Sequence, residues 1–406
     1  MAFIRTLREA AEEIGPGIVA DRRDIHAHPE LGYQERRTAA LVAARLRDLG
    51  IEVRDGVGTT GVVGVIRGHS PGRTVLLRAD MDALPIQEEN EVPYASRTPG
   101  VMHACGHDAH TAILLGAARL LAERRAEIAG TVKLVFQPAE EGGAGALRMI
   151  EEGVLDDPPV DAAFGLHVDA DRYVGQVALR AGPAMAAADS FTITITGRGG
   201  HAASPHRAVD PIVVGAQMIT ALQTLVSREV SPTEPAVVTV ASLSAGTTDN
   251  VIPAVATLRG TVRTFSSEVR QQVEARLREI AQGIAAAMRA TAEVSYRTGY
   301  PVLHNDPAQV ELVRAVVGEL LGPEAVVERG PVMGAEDFAF ILQRVPGAYL
   351  HLGVRNAAWT VPRPVHTATF DLDEAALPIG AAVLTATALA FLAKGPTAPG
   401  GGAEMA

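Results

Sequence analysis

A chain of 406 residues has length for roughly two to three domains and can bury a large core without covalent staples. With 47% hydrophobic and 20% charged residues, wholesale disorder is excluded; the single cysteine excludes an intrachain disulfide and points to a reducing compartment. A net charge of −11, only 4% aromatics and no basic block exclude a binder of nucleic-acid backbone as the main role.

In chain order, apolar spacing predicts helices over 3–14 and 35–49, separated by the loop HAHPELG with two histidines. The first carries Glu9, Glu12 and Glu13 and reads as an amphipathic helix, not a signal peptide. Strands are predicted at 61–67 and 74–79, then a turn-rich stretch from Met81 to Pro99. A helix over 110–128, a buried strand at 131–137, a short helix at 144–152 and another buried strand at 162–168 follow. This alternation predicts an α/β layer architecture with a mostly parallel sheet, whose chemistry collects at strand ends. The character changes near residue 190. FTITITG (191–197) alternates as a half-exposed strand, and the pattern then runs helix 208–227, strands 235–243 and 251–263, helix 267–289 and strand 292–298. That β-α-β-β-α-β order matches the ferredoxin-like pattern and predicts a separate, inserted α+β domain. The stretches 308–320, 336–343, 348–353 and 374–393 return to α/β character, and the last dozen residues read as a disordered tail. Ala375 to Ala393 is uncharged for 19 residues, but its Ala, Thr and Pro378 content predicts a buried final helix rather than a membrane span.

The histidines are unevenly placed. MHACGHDAH (102–110) holds three of them with the only cysteine, and Cys105 and His107 flank Gly106. Thiolate and imidazole are ligands for borderline-soft metals such as Zn, Ni, Co or Mn; a structural Cys-x-His pair is the plainer alternative. Glu140 and Glu141 follow an apolar strand, either as a solvated acid pair or with divided labour, Glu141 binding metal and Glu140 taking a proton from water. His167 ends a third apolar strand, where a lone histidine is most often a core residue, and His366 lies just before the final helix. Cys105, His107, Glu141, His167 and His366 are too many donors for one closed tetrahedral zinc; they suit two metals a few ångströms apart. Asp80 and Asp82 share one face of a continuing strand, to orient a ligand imidazole or to serve as turn acid and cap. His201, in a Gly-rich turn, is a surface residue or, on a lid, an oxyanion stabiliser; Asn250 lies near a strand start.

These motifs together resemble the M20 metallopeptidase superfamily, in its amidohydrolase branch of N-acyl-L-amino-acid amidohydrolases, hippurate hydrolases and auxin-conjugate hydrolases. The matching segments are HAHPELGYQE (26–35), RADMDALPIQE (78–88), MHACGHDAHTA (102–112), FQPAEEGGAGA (136–146), GLHV (165–168), GRGGHAASPH (197–206), DNVIP (249–253), GTVRTF (260–265), MGAEDFAF (333–340) and HLG (351–353). The resemblance implies two divalent metal ions (Zn, Mn, Co or Ni) on Cys105, His107, Glu141, His167 and His366, Glu140 as general acid/base and His201 as oxyanion helper. It implies a catalytic domain in two parts, 1–186 and 303–395, an inserted lid domain at 187–302 often used for dimer contacts, and a tail at 396–406. Asp80 and Asp82 stand where peptidases of the superfamily have His-x-Asp, so both are left out of the metal shell.

The expected reaction is metal-dependent hydrolysis of a small N-acyl-L-amino acid, hippurate-like or N-acetylated, to a carboxylic acid and a free amino acid. Asn250, Arg263 and the backbone around Gly334 are the candidate anchors for substrate. A metallo-carboxypeptidase or dipeptidase is the runner-up. Cys105 as covalent nucleophile leaves the acid pair and distant histidines without a job, and a metal-storage or amino-acid-binding protein leaves Glu140 without one. The expected setting is cytoplasmic, with a small-molecule substrate, no nucleic acid, no membrane and homo-oligomers through the lid.

Overall fold

The computed structural model describes residues 2–394, and the tail expected at 396–406 lies outside them. The described residues divide into two compact units, the first comprising 2–182, 304–330 and 340–394, the second Pro183–Leu303 with Pro331–Ala339.

The first unit is built on helix α1 (Ala2–Ala27), helix α2 (Arg36–Asp48) and a sheet of eight strands. α1 buries Leu7, Ala11, Ile14, Ile18 and Ile25, an apolar stripe at helical spacing. The stripe continues past Pro16, so the helix runs on through the proline, and His26 falls in its last turn rather than in a loop. The strands are β1 (Glu52–Val57), β2 (Gly61–Arg67), β3 (Ser70–Asp80), β4 (Ala129–Gln137), β5 (Ala162–Tyr173) and β6 (Val177–Leu179), with Val326–Glu328 and Gly347–Arg355 from the later chain. Their order is β1, β2, β4, β3, β5, Gly347–Arg355, β6, Val326–Glu328. β3 runs parallel to both β4 and β5, and Gly347–Arg355 runs parallel to β5. β2 is antiparallel to β1 and to β4, and β6 is antiparallel to Gly347–Arg355. The sheet is therefore mixed, which corrects the mostly parallel sheet expected from the alternation of elements. The reason is local: β1 and β2 meet through a tight hairpin, and β1, largely exposed at the sheet edge, carries no apolar run to reveal it.

Helix α3 (His107–Glu123) packs on α1 and on the final helix Ala376–Ala393. That final helix is long and apolar enough to cross a membrane by length and composition, with mean hydropathy 2.0, yet most of it is buried within the protein. Gly380 is its contact point: a Cβ there would come within 2.9 Å of Ile113 and Leu352.

The second unit carries a four-stranded antiparallel sheet in the order Ala236–Ala245, Val255–Thr264, Ala187–Thr196, Thr291–Tyr300. Helices Pro211–Thr224 and Ser267–Ala287 pack on it, capped by Asp210 and Ser266, whose side chains accept backbone N–H groups of the first turn. Phe191, Ile193, Ile195, Met218, Leu258 and Leu277 form a core separate from that of the first unit.

Candidate metal centre

Buried strands of the first unit end in loops that carry polar side chains inward. Cys105 precedes α3, and His107 is its first residue. Between them Gly106 is left-handed at φ 87°, and a Cβ there would lie 2.5 Å from Val168 Cγ2; only glycine lets the turn close against β5. Beyond β4 the chain turns sharply. Ala139 and Ala144 both adopt left-handed conformations, at φ 50° and 56°, and bracket Glu140 and Glu141. Non-glycine residues hold such angles only when their surroundings compel them. Here the compulsion is visible. Ala139 N–H donates to Glu35 Oε1 (2.8 Å), Glu140 N–H to Asp82 Oδ1 (3.0 Å) and Glu141 N–H to Asp82 Oδ2 (2.9 Å). Glu35 and Asp82 are both buried.

Asp82 also faces His107, with Oδ1 3.2 Å from Nδ1. A carboxylate accepts, so Nδ1 carries the proton and Nε2 presents its lone pair. That Nε2 is buried and has no hydrogen-bond partner. His167, on β5, donates Nδ1–H to Val168 O (2.7 Å), which likewise leaves its Nε2 as the free nitrogen, 3.3 Å from Cys105 Sγ. His366 Nε2 lies 3.3 Å from the same sulfur and 3.1 Å from Glu141 Oε1. His366 is itself left-handed at φ 62°, and its N–H donates to Ala104 O (2.7 Å).

The donor atoms interlock. Those of Cys105, His107 and His167 lie within 4.8 Å of one another, as do those of Cys105, Glu141 and His366, and those of His107, Glu140 and Glu141. A thiol, three imidazoles and a carboxylate converge, with Cys105, His107 and Glu141 shared between triads. The set suits two divalent ions of borderline softness. An unpartnered imidazole nitrogen in a dry site is costly unless something occupies its lone pair. The residues therefore fit a binuclear divalent-metal centre.

The electrostatics agree. Burial alone would lower the pKa of His107, but Asp80 and Cys105, with the Asp82 contact, hold it well above the ordinary value, so the surroundings favour positive charge at this ring, carried by a proton on Nε2 until a metal ion takes that proton's place. Glu141 stays ionised: burial pushes it up, while His366 and His107 pull it below the usual value. Burial pushes the Cys105 thiol up to about 12. A thiol so placed is no nucleophile at neutral pH, and it becomes a thiolate only beside a cation. Burial drives His167 down to about 3, leaving it neutral and able to ligate.

Behind this cluster stand Asp80, placed as one of the two orienting candidates of the sequence, and two residues not singled out there, Arg78 and His110. Asp80 Oδ1 accepts His110 Nδ1–H at 2.6 Å, Asp80 Oδ2 accepts from Arg78 at 2.7 Å, and His110 Nε2 accepts Val168 N–H at 2.9 Å. His110 stands one helical turn beyond His107, a spacing visible in the sequence.

The other candidate residues lie in the second unit. His201, exposed, sits on the short strand Gly200–His201, which pairs with Val251–Ile252 so that Val251 faces His201. Asn250 is the preceding residue, and its carbonyl accepts Ala202 N–H (3.0 Å). The structure thus brings His201 and Asn250 together. Arg263 is half-buried on Val255–Thr264 and donates to Thr261 Oγ1 and Val262 O. Gly334 accepts Ala186 N–H through its carbonyl (3.0 Å).

The sequence profile of peptidase family M20/M25/M40 matches residues 76–390, more than three quarters of the chain and all five metal-centre donors. The chain belongs to the M20 peptidase family. It is 42% identical over 398 residues to thermostable carboxypeptidase 2 of Saccharolobus solfataricus, covering 97% of this chain and 100% of that protein. It is 43% identical over 380 residues to N-acetyl-L-cysteine deacetylase of Bacillus subtilis, covering 92% and 89%. Among solved structures it is similar to the Bacillus subtilis YXEP protein, described as a dinuclear metal-binding peptidase of the M20 family, with TM-score 0.82, 38% identity and coverage of 94% and 99%. With this M20 fold and this donor set, the protein is a metal-dependent hydrolase.

Proposed function

We propose that this M20 protein hydrolyses small N-acyl-L-amino acids, N-acetylated or hippurate-like, to a carboxylic acid and a free amino acid. The observation that carries the reading is the acid pair of buried Glu140 and half-buried Glu141, pinned by Asp82 beside Nε2 of His107, which makes no hydrogen bond. Cys105, His107, Glu141, His167 and His366 would hold two divalent ions, which supply polarisation of the scissile carbonyl and acidification of water. Glu140 acts as the general base, taking a proton from the attacking water and passing it to the leaving nitrogen. Its backbone is fixed by Asp82 Oδ1, so the carboxylate pays little entropy to reach its working position.

His201 acts as the oxyanion donor, and Asn250, Arg263 and the backbone of Gly334 bind the substrate's amino-acid part. The pairing that joins His201 to the Asn250 segment supports the first two. The half-buried guanidinium of Arg263, whose hydrogen bonds among the described residues go to a hydroxyl and a carbonyl, supports a carboxylate anchor. We assign residues 187–302 as an inserted ferredoxin-like lid domain within a catalytic domain of 1–186 and 303–395. The β-α-β-β-α-β order and its antiparallel sheet support that reading. Self-association through the lid is read by light scattering. The lone, buried cysteine supports a cytoplasmic setting.

A carboxypeptidase or dipeptidase is the second reading, supported by the similarity to the thermostable carboxypeptidase. An amine-release screen across acetyl-, benzoyl- and indole-acetyl-amino acids and dipeptides separates them. Faster release from dipeptides than from every acyl amino acid would overturn the first reading in favour of the second.

A further inference from the structure

Arg22, near the end of α1, has a side chain with no exposure to solvent. Its guanidinium reaches two segments distant in sequence. Nε donates to Asp108 Oδ2 at 2.8 Å, and Asp108 directly follows His107. One amino group donates to Glu374 Oε1 at 3.3 Å, and the other lies 3.7 Å from Asp371 Oδ1. Both acids lie a few residues beyond His366. The ring of Tyr94 covers the cation at 4.8 Å, and His26 shares Asp108 Oδ2 at 2.8 Å.

A buried charge network of this kind is a poor way to gain stability, since apolar side chains of equal volume serve as well or better. What it provides is fixed geometry. The need is evident at His366, whose backbone is left-handed and whose side chain is 54% exposed, so packing alone does not hold it. His167, by contrast, is set in the buried strand β5, paired on both sides.

We propose that Arg22 is a positioning residue of the metal centre. It braces the segment carrying His366 against the segment carrying Cys105 and His107, so that the triad Cys105, Glu141 and His366 keeps ligand spacing. The triad Cys105, His107 and His167 has supports of its own in Asp82 and strand β5, so it depends less on the brace. The proposal rests on the binuclear reading above. Second-sphere contacts of this type are worth 10–100-fold in metal affinity.

The test is Co(II) titration of the purified chain, read by bound metal per chain and by visible absorption, for wild type, Arg22→Lys, Arg22→Gln and Glu374→Gln. Wild type takes up about two ions. Arg22→Gln retains the tighter ion and binds the weaker one at least about tenfold less well, with altered Co(II) bands. Arg22→Lys and Glu374→Gln, which keep part of the bridge, shift the same ion less. Melting curves run on the same samples separate stability from spacing. A lowered Tm with both ions bound at wild-type affinity would overturn the brace and leave Arg22 a purely structural residue. Should Arg22→Gln fail to fold, Glu374→Gln decides, and an unchanged weaker-site affinity and spectrum overturn the proposal. A wild-type chain that takes up no divalent ion would overturn the metal reading and this one with it, which keeps the two failures apart.

Discussion

Two buried charge clusters in this protein solve the same electrostatic problem in opposite ways. In the second unit Asp189 sits out of water with a full complement of donors. Arg270 contacts both its oxygens, Tyr296 O–H donates to Oδ2 at 2.8 Å and Gly299 N–H to Oδ1 at 2.8 Å. In the first unit His107 Nε2 is equally buried and makes no hydrogen bond, its carboxylate neighbour Asp80 Oδ2 standing off at 3.6 Å. A completed cluster holds strands and helix together; an incomplete one, ringed by ionised acids, is built to receive something. Burial is common to both, and satisfaction separates them.

Breaking the incomplete cluster should abolish the chemistry while sparing the fold. Removing divalent metal with a chelator is expected to eliminate amide hydrolysis, with activity restored by Zn, Mn or Co. Undiminished turnover in metal-free protein would place the chemistry elsewhere. Glu140→Gln comes next, with a loss of about 10²–10⁴-fold in kcat and metal content unchanged, checked by elemental analysis beside the assay. Near-normal turnover would remove Glu140 from its role.

The completed cluster should respond in the reverse sense. Asp189→Ala leaves half-buried Arg270 without its carboxylate and is expected to cost about 1–3 kcal/mol of stability, while bound metal per chain stays at the wild-type level. Its pH signature is also defined. Burial would raise the pKa of Asp189, but Arg270, Gly299 N–H and Tyr296 hold it below the ordinary value. That stabilisation is complete above the unfolded carboxyl value of about 3.9 and is lost as pH falls through the lower folded value. An acid melt of Asp189→Asn should therefore be flatter than wild type below about pH 4. Matching acid profiles would show that the cluster contributes no linkage. At the small end, Arg119→Ala removes an exposed helical pair with Glu123 and is expected to cost about 0.3 kcal/mol. A Tm fall of many degrees there would mean that exposure is a poor guide to energetic weight in this chain.

The five candidate donors that the structure brings together were legible in part: Glu141 and His167 are types rare at the ends of apolar strands, and Cys105 flanks Gly106 with His107. Cysteine, histidine and paired glutamates there need a reason, and the only cysteine drew attention to 102–110. Arg22 was not legible. It lies beyond the helix expected over 3–14, and only the fold, which carries α1 on to Ala27, shows it fully buried between Asp108 and Glu374. Asp82 was half legible: its spacing from Asp80 marked it as a candidate for orienting an imidazole. Its grip on two backbone N–H groups beyond β4 depends on β3 lying beside β4. β1 escaped notice because an exposed edge strand carries no apolar alternation.

Local pattern by itself determined the order of the longer buried elements, the change of character near residue 190, the burial of the final helix and the kinds of atoms available for chemistry. These follow from side-chain periodicity and donor type, which neighbouring residues express without help. Tertiary structure alone decided the antiparallel pairings of β2, the contact of His366 with Cys105 Sγ at 3.3 Å across the length of the chain, and which buried charges are satisfied. The physical reason is that desolvation and hydrogen-bond completion depend on what lies within a few ångströms, and that neighbourhood is assembled from residues hundreds of positions apart.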